Sequence, residues 1–263
     1  MIIRKRLRIC ASVLIGFGLN PLKIINSFRG IPIYLSSVVW LIKARKKNNR
    51  HEFKLRFSPV LADLYDQSGV AKGHYFHQDL WASRRIFELK PQNHIDVGSR
   101  IDGFVAHVLT FMDVDIIDVR PLESQIKGLR FIKKDMMAED DIEIYGYESV
   151  SCLHALEHFG LGRYKDPLDW DGWKKGIVNI SNLIKKGGRM YLSVPIGEQV
   201  IEFNAHRIFL PRTIIDQCGF CGLELVDFSF IDDDGHFHPS VSIDKASACI
   251  YGCGCFEFIK KTE

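Results

Sequence analysis

The chain has 263 residues, 46% of them hydrophobic and 25% charged. These proportions exclude a disordered or collagen-like chain and suit one globular domain with an appendage. The net charge of +3 hides a division: residues 1–51 hold eleven Lys and Arg and no acid, so the remaining 24 basic residues face all 32 acidic ones, a body of about −8. That body shows no nucleic-acid-binding motif, and no nucleic-acid partner is expected.

Seven cysteines are an odd number in a chain too large for a disulfide scaffold, so free thiols in a reducing cytoplasm are expected. Met1–Arg8 is basic and Ile9–Leu19 apolar, like a secretory signal, but no small-x-small cleavage site follows. The uncharged stretches Ile9–Leu22 and Gly30–Ile42 are 14 and 13 residues long and carry Pro21 and Pro32. A spanning helix needs roughly 20 apolar residues, so a membrane span is not expected. Val38–Ile42 precedes Lys43, Arg45, Lys46, Lys47 and Arg50. This pattern suits an arm on the cytoplasmic surface of an anionic membrane, each cation contributing about 1 kcal/mol. The other reading is a helical extension packed on the body or on a second subunit of a homodimer. Asn48-Asn-Arg-His51 separates this arm (1–50) from a body (51–263).

In the body, residues 59–89 have a helical pattern that Gly69 and Gly73 divide. His94–Val97 reads as a buried strand, Gly103–Met112 as a helix, and Val114–Val119, Leu129–Ile132 and Ser149–Leu153 as strands. Trp173–Ile184 reads as a helix stopped by Lys185-Lys-Gly-Gly188. Arg189–Val194 follows as a strand ended by Pro195. Pro211–Cys218 reads as a helix opened by proline, and Leu223–Ile231 and Cys249–Ile259 as strands. Alternating strands and helices predict an α/β fold: a doubly wound, mostly parallel sheet whose last two strands make an antiparallel edge hairpin. Ligands of such a sheet sit at the carboxyl ends of the strands.

Those ends carry Asp96-Val-Gly98, then Asp118, 22 residues after Asp96, then Asp135, then His154-Ala-Leu-Glu157-His158. A carboxylate about 20 residues beyond a glycine turn commonly accepts ribose hydroxyls, so three acids in order point to a nucleoside pocket. The element order, Asp-x-Gly98, the acids after the second and third strands, Leu156-Glu-His158 and Lys185-Lys-Gly-Gly-Arg189 resemble the class I S-adenosylmethionine-dependent methyltransferases over roughly residues 60–260. Gly73-His-Tyr-Phe-His-Gln-Asp-Leu-Trp81, Asp96–Phe104, Leu153–Tyr164, Ser193–Gly197 and Phe203–Arg207 are similar to a domain-of-unknown-function family. That family was first named from nematode proteins and is also met in bacterial polysaccharide gene clusters.

The resemblance implies S-adenosylmethionine as cofactor, held by Asp96, Gly98, Ser99, Asp118, Asp135 and Met136. It implies a sugar, glycan or lipid-linked saccharide as acceptor, met by Tyr75, His77, Gln78, Arg100, Arg163, Tyr164, Asn204 and Arg207. The candidate bases are His154, His158 and His206, with Glu157 orienting one of them. The chain departs from the methyltransferase pattern where Arg100 and Asp102 replace the second and third loop glycines, which elsewhere let backbone approach the cofactor.

That departure supports a second reading, a nucleotide-sugar-binding protein whose Arg100, Arg163 and Arg207 hold phosphates. A third is zinc hydrolysis through His154-x-x-Glu157-His158, which the flanking Gly160 and Gly162 disfavour by shortening any helix. Cys218/Cys221 and Cys253/Cys255 could together hold zinc. Buried free thiols are the expectation, and His236 and His238 read as a surface loop. No metal site is expected.

Overall fold

A computed structural model of the protein describes residues 18–47, 53–66, 68–138 and 145–262. Its contacts divide the chain into two compact units, Met1–Val70 and Ala71–Glu263. The signal-like residues 1–17 and the polar break at 48–51 lie outside the described residues.

In the first unit, helix α1 (Pro21–Lys47) runs for 27 residues with Pro32 inside it. Pro21 is tolerated because first-turn N–H groups have no intrahelical acceptor. The expected interruption at the prolines is thereby corrected. The helix has a mean hydropathy of 1.2 over its most apolar 18 residues, long and apolar enough, by length and composition, to cross a membrane. Leu22, Phe28, Leu35 and Trp40 are exposed on it. Arg45, Lys46 and Lys47 fill its last turn, where cations meet the negative end of the helix dipole. Residues 59–66 form a single 3-10 turn, Asp63–Tyr65, instead of the expected helix. Leu64 and Tyr65 stay largely exposed, and so short a segment gains too little from burial to hold a longer helix.

The second unit holds strands β1 (His94–Val97), β2 (Val114–Asp118), β3 (Leu129–Lys133), β4 (Tyr147–Leu153), β5 (Ile184–Ile196), β6 (Val200–Glu202), β7 (His206–Ile208), β8 (Leu223–Ile231), β9 (Phe237–His238) and β10 (Gly252–Lys260). Eight form one sheet in the order β3-β2-β1-β4-β5-β10-β8-β9. β1 to β5 are parallel, while β10 pairs antiparallel with both β5 and β8. The last long strand therefore inserts inside the sheet, and the antiparallel edge is β8 with the short β9.

Both faces are covered. Trp81, Ala82 and Ile86 of α2 (His74–Leu89) pack with Val108 of the short α3 (Ala106–Val108), Ile116 and Cys255 on one side. On the other, Ile177 and Ile180 of α4 (Gly172–Leu183) and Ile214 and Cys218 of α5 (Pro211–Phe220) pack against Val150, Leu192 and Phe256. Cys218 and the pair Cys253/Cys255 thus belong to different cores, which rules out the four-thiolate zinc site. The described cysteines are free.

The predicted helix stop before Lys185 holds, the helix ending at Leu183, whereas the strand stop at Pro195 fails for a physical reason. Lys185–Gly188 forms the irregular start of β5, where the register against β4 shifts. Pro195 lies within β5 because β4 ends opposite Ser193. The Pro195 carbonyl accepts from Phe209 N on the side β4 has vacated, so the missing proline N–H falls where no ladder needs it.

Candidate functional site

The strand order reverses between β1 and β4, the switch point where an open α/β sheet leaves a crevice. A pocket opens there, a cavity of about 60 Å³ with an open mouth. Gly98 and Asp118 line it from the tips of β1 and β2, Asp135 and Met136 from the turn after β3, and His154 and His158 from beyond β4. Tyr164 closes one side. Sequence reasoning missed the walls Ile117, Met137 and Phe159, and the polar Arg120, Lys134 and Asp166. Only Arg120, two residues beyond Asp118, carried a local hint.

Gly98 has φ +73°, and a Cβ there would stand 2.9 Å from that of Ala155. Glycine is required both for the backbone conformation and for the approach of the β1 and β4 tips. Asp118 accepts from Arg120 N at 2.8 Å and from its guanidinium through both oxygens. Arg120 in turn lies over the Tyr164 ring, 4.6 Å from its centroid. Asp135 accepts from Met137 N at 2.8 Å, fixing the turn that presents Met136.

Asp96 and Ser99 support the pocket from behind and do not line it. Asp96 is fully buried and accepts from Ser99 N, Ser99 Oγ and Ser151 Oγ. Ser99 Oγ accepts from Leu153 N, tying the β1 loop to β4. Burial pushes the Asp96 carboxyl up to about 6 against those hydrogen bonds.

Arg100 and Asp102, which replace the loop glycines, stay out of the pocket. They form a two-pronged ion pair with each other, side chains 57% and 74% exposed. The three arginines of the phosphate-binding reading do not converge. Arg207 is buried and spends its guanidinium on the carbonyls of Phe159 and Trp170. Arg163 donates to Ala205 O at 2.8 Å. Gln78 is buried and accepts from Ser193 Oγ at 2.6 Å, His77 stacks on Phe237, and Asn204 is exposed in the turn joining β6 to β7. Tyr75 lies beside the His154 ring, 5.1 Å between centroids, with Arg100 over its outer face.

Beneath the pocket lies a histidine cage. His154 has φ +51°, the left-handed region a non-glycine residue seldom enters. His154 Nδ1 donates to Glu157 Oε1 at 2.6 Å, and Nε2 faces His74 Nδ1 at 3.1 Å. Burial lowers His154, but Glu157 and then Cys253 together outweigh it and raise the imidazole to about 10. Burial, the largest single influence, raises Glu157, but His154, His158 and a backbone hydrogen bond together hold its carboxyl below the usual range. His74, buried beside that cation, falls to about 4 and is the neutral acceptor. Tyr251 packs against both His74 and His206. Glu157 Oε2 is buried without a hydrogen-bond partner.

His158 is set differently. Its Nδ1 donates to Ala205 O at 2.7 Å, which leaves Nε2 as the unprotonated nitrogen. Burial holds its pKa below the ordinary value. The motif His154-x-x-Glu157-His158 lies on a left-handed residue and a 3-10 turn, Leu156–His158, so the two imidazoles do not share a helical face.

Residues 110–233 match the model of a family described as Caenorhabditis protein of unknown function, DUF268. The matched stretch, a little under half of the chain, is similar to that family. A search of curated proteins finds no match. Among solved structures, the chain is similar to a Galdieria sulphuraria protein assigned as a sarcosine dimethylglycine methyltransferase, at 12% identity and TM-score 0.51, covering 70% of this chain and 85% of that one. It is similar to a chain of the Haloferax volcanii complex between the Trm112 methyltransferase activator and its assigned methyltransferase, at 14% identity and TM-score 0.50, covering 72% and 91%. It is equally similar to the [4+2]-cyclase SpnF, at 12% identity and TM-score 0.50, covering 70% and 82%. At such identities the likeness shows the fold, that of the class I S-adenosylmethionine-dependent methyltransferases. One scaffold hosts different reactions, so the reaction is argued from the site.

Proposed function

We propose that the protein is an S-adenosylmethionine-dependent methyltransferase whose acceptor is a hydroxyl of a saccharide, free or lipid-linked. The observation that carries this reading is the pocket at the β1/β4 reversal, with a ribose-seeking carboxylate at one end and a neutral imidazole at the other. The residues present fit the cofactor. Gly98 gives close backbone approach, and the walls Val97, Ile117, Met136, Met137 and Phe159 are apolar enough for an adenosyl group. Arg100 and Asp102 leave that space open.

Asp118 would hold the ribose hydroxyls, sharing its oxygens with Arg120. Asp135 and Met136 would flank the base. When bound, S-adenosylmethionine supplies an electrophilic methyl group on its sulfonium. His158 accepts the acceptor hydroxyl's proton at Nε2, because Ala205 O already takes the Nδ1 proton. His154 is the weaker candidate, since Glu157 and His74 occupy both its nitrogens.

The acceptor class rests on the groove that continues from the pocket. It shares Arg120, Lys134, Asp135 and Tyr164 with the pocket and adds Lys133, Arg163 and Lys165. Cations around an aromatic face suit a sugar carrying phosphate, as a lipid-linked saccharide does. The exposed apolar side chains and basic last turn of α1 support a place at the cytoplasmic membrane surface.

The test is transfer of a labelled methyl group to membrane-extracted lipid-linked saccharides by the full chain. His158→Gln is expected to lower turnover by about 10²–10⁴-fold with S-adenosylmethionine binding retained. Unchanged turnover would remove His158 as the base.

A further inference from the structure

We propose that His74, His154 and Cys253 form a binding site for a single zinc ion. The residues come from three distant parts of the chain: His74 opens α2, His154 follows β4, and Cys253 lies in β10. One donor atom from each lies within 4.8 Å of the other two. Two imidazoles and a thiol are the donor set of a borderline-soft ion.

The surroundings are those of a ligand set held in place. His154 Nδ1 donates to Glu157 Oε1 at 2.6 Å, which commits Nε2 to the side of His74 and Cys253. A carboxylate behind a ligating histidine fixes its tautomer and strengthens it as a donor. The left-handed backbone at His154 turns the ring back under β4. His74 is packed against Tyr251, with 5.3 Å between ring centroids. Cys253 is fully buried, and its sulfur makes long contacts, 3.8 Å each, to Gln78 Oε1 and Gly254 O, and also interacts with His154 and Cys255.

The imidazole nitrogens stand 3.1 Å apart. Two nitrogens bound to one zinc at about 2.0–2.1 Å and a tetrahedral angle lie roughly 3.3–3.4 Å apart, so a small turn of the rings accommodates the ion. At 3.1 Å one nitrogen holds a proton towards the other. Zinc takes the place of that proton and of the Cys253 thiol proton, so two positive charges enter and two leave, and the buried site keeps its charge. Three protein ligands leave a fourth position for water or a substrate oxygen, the arrangement of reactive zinc sites and not of structural ones. The site stands on its own geometry and does not depend on the methyl-transfer reading.

The test is elemental analysis of the full chain, purified without chelator, freed of any affinity tag, incubated with zinc and desalted. The expected result is close to one zinc per chain, lowered at least tenfold in both His74→Ala and Cys253→Ser and retained in Cys255→Ser. Cys255 is equally buried in the same strand but is not one of the three. Cobalt replacement should give a thiolate-to-metal charge-transfer band in wild type and in Cys255→Ser and none in Cys253→Ser. Should Cys253→Ser not fold, the half-buried His74→Ala decides by the same stoichiometry. Less than a tenth of an ion per wild-type chain, or equal zinc in wild type and His74→Ala, would overturn the site. Calorimetry with S-adenosylmethionine on the same samples separates the two readings, since its failure would leave the zinc count untouched.

Discussion

The strand-tip pocket and the histidine cage share His154 and His158 but satisfy their polar atoms in opposite ways. In the pocket, Asp118 is held by Arg120 within two residues of sequence, at a surface water still reaches. In the cage, Glu157 and His154 are almost fully buried, and Glu157 Oε2 has no partner at all. The pocket is therefore built to exchange partners, while the cage is held by an ion pair whose loss would leave a charge stranded. The contrast predicts that changes in the cage are read as lost stability and changes in the pocket as lost ligand affinity.

The largest effect should follow Glu157→Ala. It strips the carboxylate from a buried imidazolium, and a loss of about 3–5 kcal/mol is expected from urea unfolding; a loss below about 1 kcal/mol would show that the cage is not held by this pair. Gly98→Ala should cost about 1–3 kcal/mol for its left-handed backbone and should also weaken S-adenosylmethionine binding, because the added Cβ meets Ala155. A stable variant that binds normally would place the cofactor elsewhere. Asp118→Ala should lower S-adenosylmethionine affinity by about tenfold or more, one charged hydrogen bond's worth, while the urea midpoint moves little. An equal loss of both would erase the distinction between pocket and cage.

The smallest effect concerns Asp96. Its folded pKa, about 6, lies above its ordinary value because it is buried. Its contribution to stability is therefore fully present below about pH 4 and is lost as pH rises through 6. Asp96→Asn should flatten the fall of the urea midpoint between pH 4 and 6.5 relative to wild type. An unchanged slope would mean that the Ser99 and Ser151 hydrogen bonds already cancel the cost of burial.

Much of the pocket was legible in the sequence because its residues sit at the ends of successive strands. Chain order alone brings Gly98, Asp118, Asp135 and His154 to one edge of the sheet. The same rule misplaced Asp96 and Ser99, since strand-end position does not say which face of the turn a side chain takes. Pro32 and Pro195 were read as stops. Pro195 is tolerated where the neighbouring strand has already ended, and the helix runs on through Pro32. The hairpin of β6 and β7 was missed because three-residue strands carry too short an alternation to read. The cage was illegible beyond His154, Glu157 and His158. Its other members, His74, Tyr251 and Cys253, lie about 80 to 100 positions away, and only the insertion of β10 between β5 and β8 brings Cys253 to His154. The motif His154-x-x-Glu157-His158 drew attention to metal chemistry with the wrong partners. In the fold Glu157 supports His154 from behind, and the groups beside its Nε2, His74 and Cys253, come from elsewhere in the chain.

The central claim is that the pocket takes an adenosyl cofactor despite its glycine-poor loop. Isothermal titration of the full chain with S-adenosylmethionine and S-adenosylhomocysteine, with nucleotide sugars as the control, tests it most directly. The account predicts saturable binding of both adenosyl compounds at one site per chain and no heat from nucleotide sugars. Heat from nucleotide sugars alone would contradict it.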